Sequence, residues 1–131
     1  MIALDTNVLV RLVVGDDPAQ ARRVAARLDG EEAFFVPLSV SLELEWVLRG
    51  AYGLDKERVI ATFEALLSIR NLRFAEDQAL TRALIQHRDG LDFADALHLQ
   101  ASHACDAMLS FDAKLRSRAR RAALHPPILS P

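Results

Sequence analysis

The segment Ile2-Ala3-Leu4-Asp5-Thr6-Asn7 near the start of the chain decides the fold. Its apolar residues predict a short buried strand, and Thr6 and Asn7 offer caps for an amphipathic helix over residues 8–14. Asp5 falls where the strand ends, at the mouth of the sheet, and there rigid positioning favours a metal ligand. We therefore take Asp5 as the first candidate ligand, with helix capping as its alternative role.

The alternation of short apolar strands and helices continues along the chain. Further strands are predicted at residues 33–36, 72–74, 107–111 and 128–129, and helices at 18–30, 39–50, 55–69, 76–88, 92–104 and 113–122. This order indicates an α/β fold with a parallel sheet covered on both faces, which binds ligands beyond the carboxyl ends of its strands. The chain has 131 residues, 51% of them hydrophobic, so we expect a single domain over residues 1–131.

Two glutamates on the predicted helix at residues 39–50 compete for a place in the site. Glu43 and Glu45 lie two positions apart and therefore point about 200° from each other around a helix. Glu43 shares a helical side with Trp46 and Val47, which predicts an inward-facing carboxylate. Glu45 lies four residues before Arg49, which predicts a surface ion pair, so Glu43 is the favoured candidate.

Further carboxylates follow in the second half of the chain. Asp92 is predicted to cap a helix, and Asp95, in the first turn of that helix, can point inward as a ligand. Asp112 follows the predicted strand at residues 107–111, and Ser110, two residues earlier, shares its side of the strand. The role expected for Ser110 is to contact a water or a phosphate at the site.

These carboxylates share one chemical requirement. Carboxylates that gather in one place repel one another and disfavour ionisation, so such a cluster normally needs a bound cation. Hard oxygen donors without a Cys/His cluster favour Mg²⁺ or Mn²⁺. The set Asp5, Glu43, Asp95 and Asp112 therefore predicts a divalent-metal site of the kind that cuts phosphodiesters.

Composition excludes other classes of protein. No apolar run approaches the roughly 18 residues needed to cross a bilayer, and Asp5 interrupts the apolar start, so neither a membrane span nor a signal peptide is predicted. The single cysteine, Cys105, has no partner for a disulfide and is expected to be a small core residue. We therefore expect a cytoplasmic protein.

The net charge of −2 gives no overall nucleic-acid signal, but the charge is unevenly distributed. Residues 113–131 contain no acidic side chain, and five cations fall within eight positions of this segment, at Lys114, Arg116, Arg118, Arg120 and Arg121. A solvated basic helix is the simplest interpretation. Beside a carboxylate site these cations, chiefly Lys114, Arg116 and Arg118, would instead hold the phosphates of a polyanion.

The motifs together resemble the PIN-domain family, and specifically the VapC-type toxins of bacterial and archaeal toxin–antitoxin pairs. The resemblance rests on four motifs in order along nearly the whole chain, Leu4-Asp5-Thr6-Asn7, Leu42-Glu43-Leu44-Glu45-Trp46-Val47-Leu48, Asp92-Phe93-Ala94-Asp95-Ala96 and Ser110-Phe111-Asp112. It implies a three-layer α/β/α fold with a parallel sheet of about five strands. It also implies Mg²⁺- or Mn²⁺-dependent endoribonuclease activity, a homodimer, and inhibition by a cognate antitoxin protein.

By position, the resemblance makes Asp5, Glu43, Asp95 and Asp112 the acidic quartet, of which Asp5, Asp95 and Asp112 are the metal ligands. Thr6 and Ser110 match the family's hydroxyl positions, although many members carry Thr where this chain has Ser110. Asp92 matches a less constant acidic position, so its membership of the site stays open. Asn7 is expected to support Asp5 or to cap the helix.

Two other functions fit part of the pattern. Asp5 at a strand end could be the nucleophile of a phosphatase that forms an aspartyl-phosphate, but the position two residues on, usually a second Asp in such enzymes, is Asn7. A non-catalytic domain could instead use its carboxylates to receive a basic peptide. The complete acidic quartet favours the nuclease over both.

Overall fold

The computed structural model describes all 131 residues, with five short strands and seven helices in alternation. The strands are β1 (Ile2–Ala3), β2 (Phe34–Val36), β3 (Leu72–Phe74), β4 (Met108–Leu109) and β5 (Ile128–Leu129). The helices are α1 (Thr6–Val14), α2 (Pro18–Leu28), α3 (Leu38–Gly50), α4 (Lys56–Leu67), α5 (Asp77–Arg88), α6 (Phe93–Ala101) and α7 (Ala113–Arg121). Each element occurs where the sequence predicts one, which confirms the α/β prediction.

Local signals in the sequence set the helix boundaries. Gly15 ends α1 with a φ of 72°, a left-handed conformation that glycine adopts without a Cβ clash. Pro18 opens α2, where its missing N–H costs nothing, and the Asp17 carboxylate accepts a hydrogen bond from the Gln20 backbone N–H at 3.0 Å. Asp55 caps α4 in the same way.

The chain falls into two compact units, Met1–Asp77 and Gln78–Pro131. In the first unit the strands form a parallel sheet in the order β1-β2-β3, with Ile2 opposite Phe34 and Phe34 opposite Leu72. Parallel strands end at the same edge of a sheet, so α1 and α3, which follow β1 and β2, both begin at that edge.

Apolar side chains at helical spacing build the core of the first unit. Helix α1 packs against α2 and α3, while α4 packs against α3 and β3. The side chains that are almost completely buried there are Leu9, Val36, Leu44, Leu48, Val59, Ile60, Phe63 and Leu66. Their spacing of three or four residues along each helix gives one apolar side per helix, which is why these segments are helical.

The second unit contains the parallel pair β4 and β5 with α5, α6 and α7. Met108 lies opposite Ile128, and Leu109 opposite Leu129, while α7 packs against β5. The buried apolar side chains of this unit include Leu80, Ala83, Leu84, Phe93, Ala96, Leu97, Leu99, Leu115, Ala119 and Ile128. This core fixes α6 and α7, the helices whose first turns carry the second group of candidate carboxylates.

The strands differ from the prediction in three respects. Both residues of β1 are exposed, although a buried strand was predicted there. The strands form sheets of three and two strands instead of one sheet of about five. Strand β4 ends at Leu109 although the sequence predicted a strand over residues 107–111. The backbone N–H of Asp112 donates to Ser110 Oγ at 3.1 Å, and this local bond replaces the strand conformation with a bend.

Two further expectations concern Cys105 and the membrane. Cys105 is exposed, which corrects its assignment to the core, because it lies in the irregular segment between α6 and β4. None of the seven helices combines the length and the apolar character needed to cross a bilayer.

Asn71 holds the connection between α2 and β2 in place. Its side-chain amide donates to the carbonyl oxygens of Leu28, Gly30 and Glu32 at 3.0, 3.2 and 2.8 Å. The side chain itself is buried at the start of β3. The amide has two N–H donors, which these three backbone acceptors share, in a turn that makes no strand ladder of its own.

Replacing Asn71 should destabilise the fold. We expect Asn71→Ala to lower the free energy of unfolding by about 1–3 kcal/mol, because the carbonyls lose their donor. Urea unfolding followed by circular dichroism measures the change. The exposed neighbour Arg70 provides the control, since Arg70→Ala should change stability by less than about 0.5 kcal/mol. Equal losses in the two variants would contradict this role for Asn71.

Candidate active site

Asp5 lies at the junction of β1 and α1 with its carboxylate uncommitted. It takes the N-cap position of α1 with an extended backbone (φ −83°, ψ 160°), yet its side chain makes no capping hydrogen bond. The aspartates that precede α2, α4, α6 and α7 all accept a backbone N–H in that position. Asp5 therefore has the backbone of an N-cap without its side-chain hydrogen bond, and its exposed carboxylate is available to a ligand.

Thr6 and Asn7 were expected to cap α1, but they are its first two residues, because the helix begins at Thr6 with Asp5 in the N-cap position. The Thr6 side chain is 4% exposed, and its Oγ1 has no hydrogen-bond partner. A buried hydroxyl without a partner carries a desolvation cost, so this atom is a site where a ligand or a water would find a ready partner. Asn7 is exposed.

The burial of the two glutamates of α3 is the reverse of the prediction. Glu43 and Trp46 are exposed, whereas Glu45 is buried and accepts a hydrogen bond from Arg49 Nε at 2.9 Å. The expected ion pair between Glu45 and Arg49 is present, but it is partly buried because Glu45 lies on the same side of α3 as Ser41 and Leu48. Glu43 stays the candidate, now as an exposed carboxylate that has no ion pair.

The start of α3 also differs from the prediction. Ser39 or Ser41 was expected to cap this helix, but Pro37 takes the N-cap position and no side chain caps it. The Ser41 hydroxyl is completely buried and has no hydrogen-bond partner. Nothing in the residue pattern indicates this burial, because a Ser near a helix start is usually a cap.

In the second unit, Asp92 and Asp112 each cap a helix. Asp92 Oδ1 accepts the backbone N–H of Asp95 at 3.1 Å, as expected of a cap on α6. Asp112 Oδ1 accepts the backbone N–H of Leu115 at 3.0 Å on α7. One oxygen of each carboxylate is thereby held in a fixed direction, while a carboxylate has about four acceptor positions in total and can bind further donors or a cation.

The charges of both carboxylates act on the pKa of Asp95. Burial raises the pKa of Asp95 above its ordinary value, and the negative charges of Asp92 and Asp112 raise it further, while His98 acts weakly in the opposite direction. Both causes penalise the ionised form, and a bound cation would relieve both of them. Asp95 is partly buried and Asp112 is exposed, so the group remains open to solvent.

Hydrogen bonds fix the backbone beside Asp112. Ser110 Oγ accepts the Asp112 backbone N–H, and the Ser110 carbonyl accepts Arg116 NH1 at 2.7 Å. Arg118 NH1 donates to the carbonyl of Gly90, which precedes α6. Two of the three cations expected to bind phosphate, Arg116 and Arg118, thus already hold loop carbonyls, and Lys114 is the exposed cation of the three without such a bond.

Each unit therefore supplies part of the predicted acidic quartet. The first unit carries Asp5 and Glu43, and the second brings Asp95 and Asp112 together with Asp92. No three His, Cys, Asp or Glu side chains are grouped closely enough to form a complete metal site. The donors are all hard oxygens, and the unrelieved repulsion around Asp95 is what a Mg²⁺ or Mn²⁺ ion would neutralise, so the residues fit such an ion in their chemistry.

A groove of about 850 Å³ lies in the first unit between α1, α2 and β1. Val8, Val24 and Leu28 contribute apolar surface to it, and Arg23 and Arg27 contribute positive charge. A groove between α2 and α3 was one possibility from the sequence, but the residues lining this groove come from α1 and β1 beside α2, and none come from α3.

A protein-family model matches most of the sequence. The family model described as "PIN domain" matches residues 2–121, which is most of the chain. No curated protein matches the sequence. The PIN domain is a three-layer α/β/α fold, in agreement with the predicted fold class.

The raised pKa of Asp95 predicts how stability depends on pH. Between the ordinary value of 3.8 and the raised pKa, the folded state binds more protons than the unfolded state, so stability falls as pH rises through this window. Asp95→Asn removes this penalty and should stabilise the protein by less than about 1 kcal/mol at neutral pH, because the site is partly solvated. The advantage should vanish below pH 3.8.

Urea midpoints of the wild type and the Asp95→Asn variant between pH 3 and 8, without divalent metal, measure this difference. Asp89→Asn makes the same chemical change at an exposed residue after α5 and should shift stability by less than about 0.5 kcal/mol. A constant difference between wild type and Asp95→Asn across the range would contradict the assignment.

Proposed function

The chain belongs to the PIN-domain family, whose members are generally metal-dependent nucleases, and from that premise we propose that it is an endoribonuclease using Mg²⁺ or Mn²⁺. The observation that carries the proposal is the placement of the carboxylates at helix starts: Asp5 makes no capping hydrogen bond, and Asp92 and Asp112 each have one oxygen fixed by a backbone N–H. Beside them, burial and the charges of Asp92 and Asp112 raise the pKa of Asp95, and a carboxylate in such surroundings suits a metal-binding role.

The proposed ligands are Asp5, Asp95 and Asp112, with Glu43 acting directly or through a water. Asp5 offers a carboxylate that capping does not occupy, and Asp112 keeps one oxygen for a ligand while the other caps α7. When bound, the cation would activate a water and neutralise charge on the phosphodiester. Glu43, exposed on α3, would hold the cation or orient the attacking water.

Four further residues have supporting roles in this proposal. Asp92 holds the first turn of α6 and so fixes Asp95, as the hydrogen bond to the Asp95 N–H indicates. Ser110 holds the Asp112 backbone, and its hydroxyl hydrogen remains available to a phosphate oxygen. The unpartnered Thr6 Oγ1 and the exposed Asn7 flank Asp5.

The basic helix α7 would hold the RNA backbone. Lys114, Arg116 and Arg118 are the proposed phosphate contacts, and the last two still have donors beyond those that hold the Ser110 and Gly90 carbonyls. A segment without acidic residues from 113 to 131 supports this role, since a negatively charged site needs cations to hold a polyanion beside it.

We further propose that the protein is the toxin of a type II toxin–antitoxin pair, a cytoplasmic homodimer of a single-domain chain that a cognate antitoxin inhibits. The resemblance to VapC-type toxins supports this. The groove in the first unit, with apolar Val24 and Leu28 beside Arg23 and Arg27, suits an amphipathic segment that carries acidic residues. An antitoxin tail could also place Arg or Lys among the carboxylates.

Loss of one carboxylate should abolish cleavage. We expect Asp5→Asn and Asp95→Asn each to lower the rate of RNA cleavage by at least about 100-fold, since even the loss of a residue that only supports a ligand costs about 10- to 100-fold. A labelled mixed RNA pool with Mg²⁺, Mn²⁺ or EDTA provides the assay. Thermal unfolding with added Mn²⁺ provides a second readout, because the wild type should be stabilised more than either variant.

Asp29→Asn and Asp89→Asn are matched controls, being the same substitution at exposed residues after α2 and α5. Both should cleave as the wild type does. Metal-independent cleavage, or full activity of a folded Asp5→Asn variant, would overturn the mechanism. A covalent phosphate trapped on Asp5 would establish the phosphatase, and metal-independent binding of a basic peptide without cleavage would favour the non-catalytic domain.

Lys114 gives the cleanest test of the basic helix, because its substitution breaks no loop hydrogen bond. Lys114→Ala should weaken RNA binding uniformly across sequences and reduce the slope of log K against log salt by about 0.7, the value for one phosphate contact on a single strand. Binding of labelled RNA in EDTA at several KCl concentrations measures the slope. An unchanged slope would remove Lys114 from the interface.

A further inference from the structure

The outward side of α3 presents one large aromatic ring among small and charged side chains. Ser39, Glu43, Trp46 and Gly50 are all exposed and follow one another at intervals of four, three and four residues, so they form one stripe along the helix. Trp46, the only tryptophan of the chain, is 61% exposed. Its apolar neighbours in the sequence had predicted a place on the apolar side of the helix.

The indole ring of Trp46 lies beside Gly50, which has no side chain to cover it. The Cε2 atom of Trp46 is 4.0 Å from the position that a Cβ on Gly50 would occupy. The helix is held from the opposite side by the buried Leu44 and Leu48, so the position of the ring does not depend on its own burial. Leaving an indole of this size in water forgoes a favourable burial energy, which points to an occupant.

We propose that the Trp46 indole stacks on a nucleobase of single-stranded RNA, next to the phosphodiester at the site that includes Glu43. This inference rests on the proposed function. Residues three apart on a helix lie about 5–6 Å from each other at Cβ, so Trp46 is an immediate neighbour of Glu43. A base that stacks there fixes the position of the adjoining sugar and phosphate relative to that carboxylate.

The neighbours of Trp46 favour a nucleotide over a protein surface. The centre of a protein interface is depleted of charge and contains adjoining apolar side chains, whereas this stripe offers Ser39, Glu43 and Gly50 around a single ring. The Arg49 side chain, three residues after Trp46, pairs with Glu45 and so does not add apolar surface beside the ring. A single aromatic face with polar neighbours matches a nucleobase, which can stack on it without adjoining apolar side chains.

Binding measured without cleavage tests the proposal. With fluorescein-labelled single-stranded RNA in EDTA, Trp46→Ala should bind about 5- to 100-fold more weakly than the wild type, the range expected from loss of one base–aromatic stack. Trp46→Phe and Trp46→Tyr should recover most of the affinity, because they retain a ring. Blunt double-stranded RNA, whose bases are already stacked, should bind the wild type and Trp46→Ala equally.

Ile85→Ala is the matched control. Ile85 is 53% exposed on α5, and its truncation also removes exposed apolar surface from a helix but no aromatic ring. It should bind RNA as the wild type does. Circular dichroism of each variant establishes that it is folded, which the exposure of both side chains leads us to expect.

The emission of Trp46 itself provides a direct readout, since no other tryptophan contributes. Single-stranded RNA should quench it, and the same strand with an abasic position at the stacked nucleotide should quench it less. Unchanged affinity of Trp46→Ala, equal affinity of Trp46→Ala and Trp46→Phe, or emission that RNA does not alter would each overturn the proposal. Emission that shifts to the blue with protein concentration alone would place Trp46 against a second copy of the chain instead.

These results are separable from the cleavage assay. Failure of the wild type to cleave RNA in Mg²⁺ or Mn²⁺, with quenching and ring-dependent binding intact, would reject the nuclease and retain the stacking site. If Trp46→Ala cleaves RNA in a metal-dependent way with unchanged KM and unchanged affinity, the nuclease is retained and the stacking site is rejected.

Discussion

The direct junction between the end of a parallel strand and the first turn of a helix is the constraint on which the candidate site depends. At such a junction the chain must turn within two or three residues, and the first turn of the helix offers N–H groups without intrahelical partners. Asp is suited to this place because its short carboxylate can accept one of them. The same geometry holds the carboxylate at the edge of the sheet, where a ligand can approach it.

Asp5 and Asp112 occupy this kind of junction and use it differently. Asp112 gives one oxygen to the N–H of Leu115 and so has a defined direction, whereas Asp5 has the cap backbone without the cap hydrogen bond. Helix α1 therefore begins without the stabilisation that a side-chain cap usually supplies, about 1 kcal/mol. The missing cap at Asp5 and the raised pKa of Asp95 each lower stability slightly, and both lie at proposed site residues. Such losses are common where activity requires strained or uncompensated groups.

The sequence was sufficient to locate the elements because each begins or ends at a strong local signal. Strands β3 and β5 have the predicted bounds, and the helices deviate from theirs by a few residues at their ends. Strand β4 was predicted too long because its apolar residues continue to Phe111, and the Ser110 hydroxyl that bends the chain there leaves no trace in hydrophobic periodicity. The engagement of Arg116 and Arg118 with loop carbonyls could not be predicted either, since it depends on which backbone oxygens lie within reach of α7.

The prediction for α3 was wrong about burial for a reason that bears on function. Counting apolar neighbours assigned Trp46 to the core and Glu43 with it, but the side of α3 that packs is the one with Leu44 and Leu48, and Glu45 lies there. A buried glutamate is tolerated because Arg49, one turn later, neutralises it and can extend to solvent. The ion pair thus stabilises the packed side of the helix, and the opposite side is not needed for packing. Glu43 and Trp46 share that free side, so selection on binding or catalysis there would meet no conflict with the core.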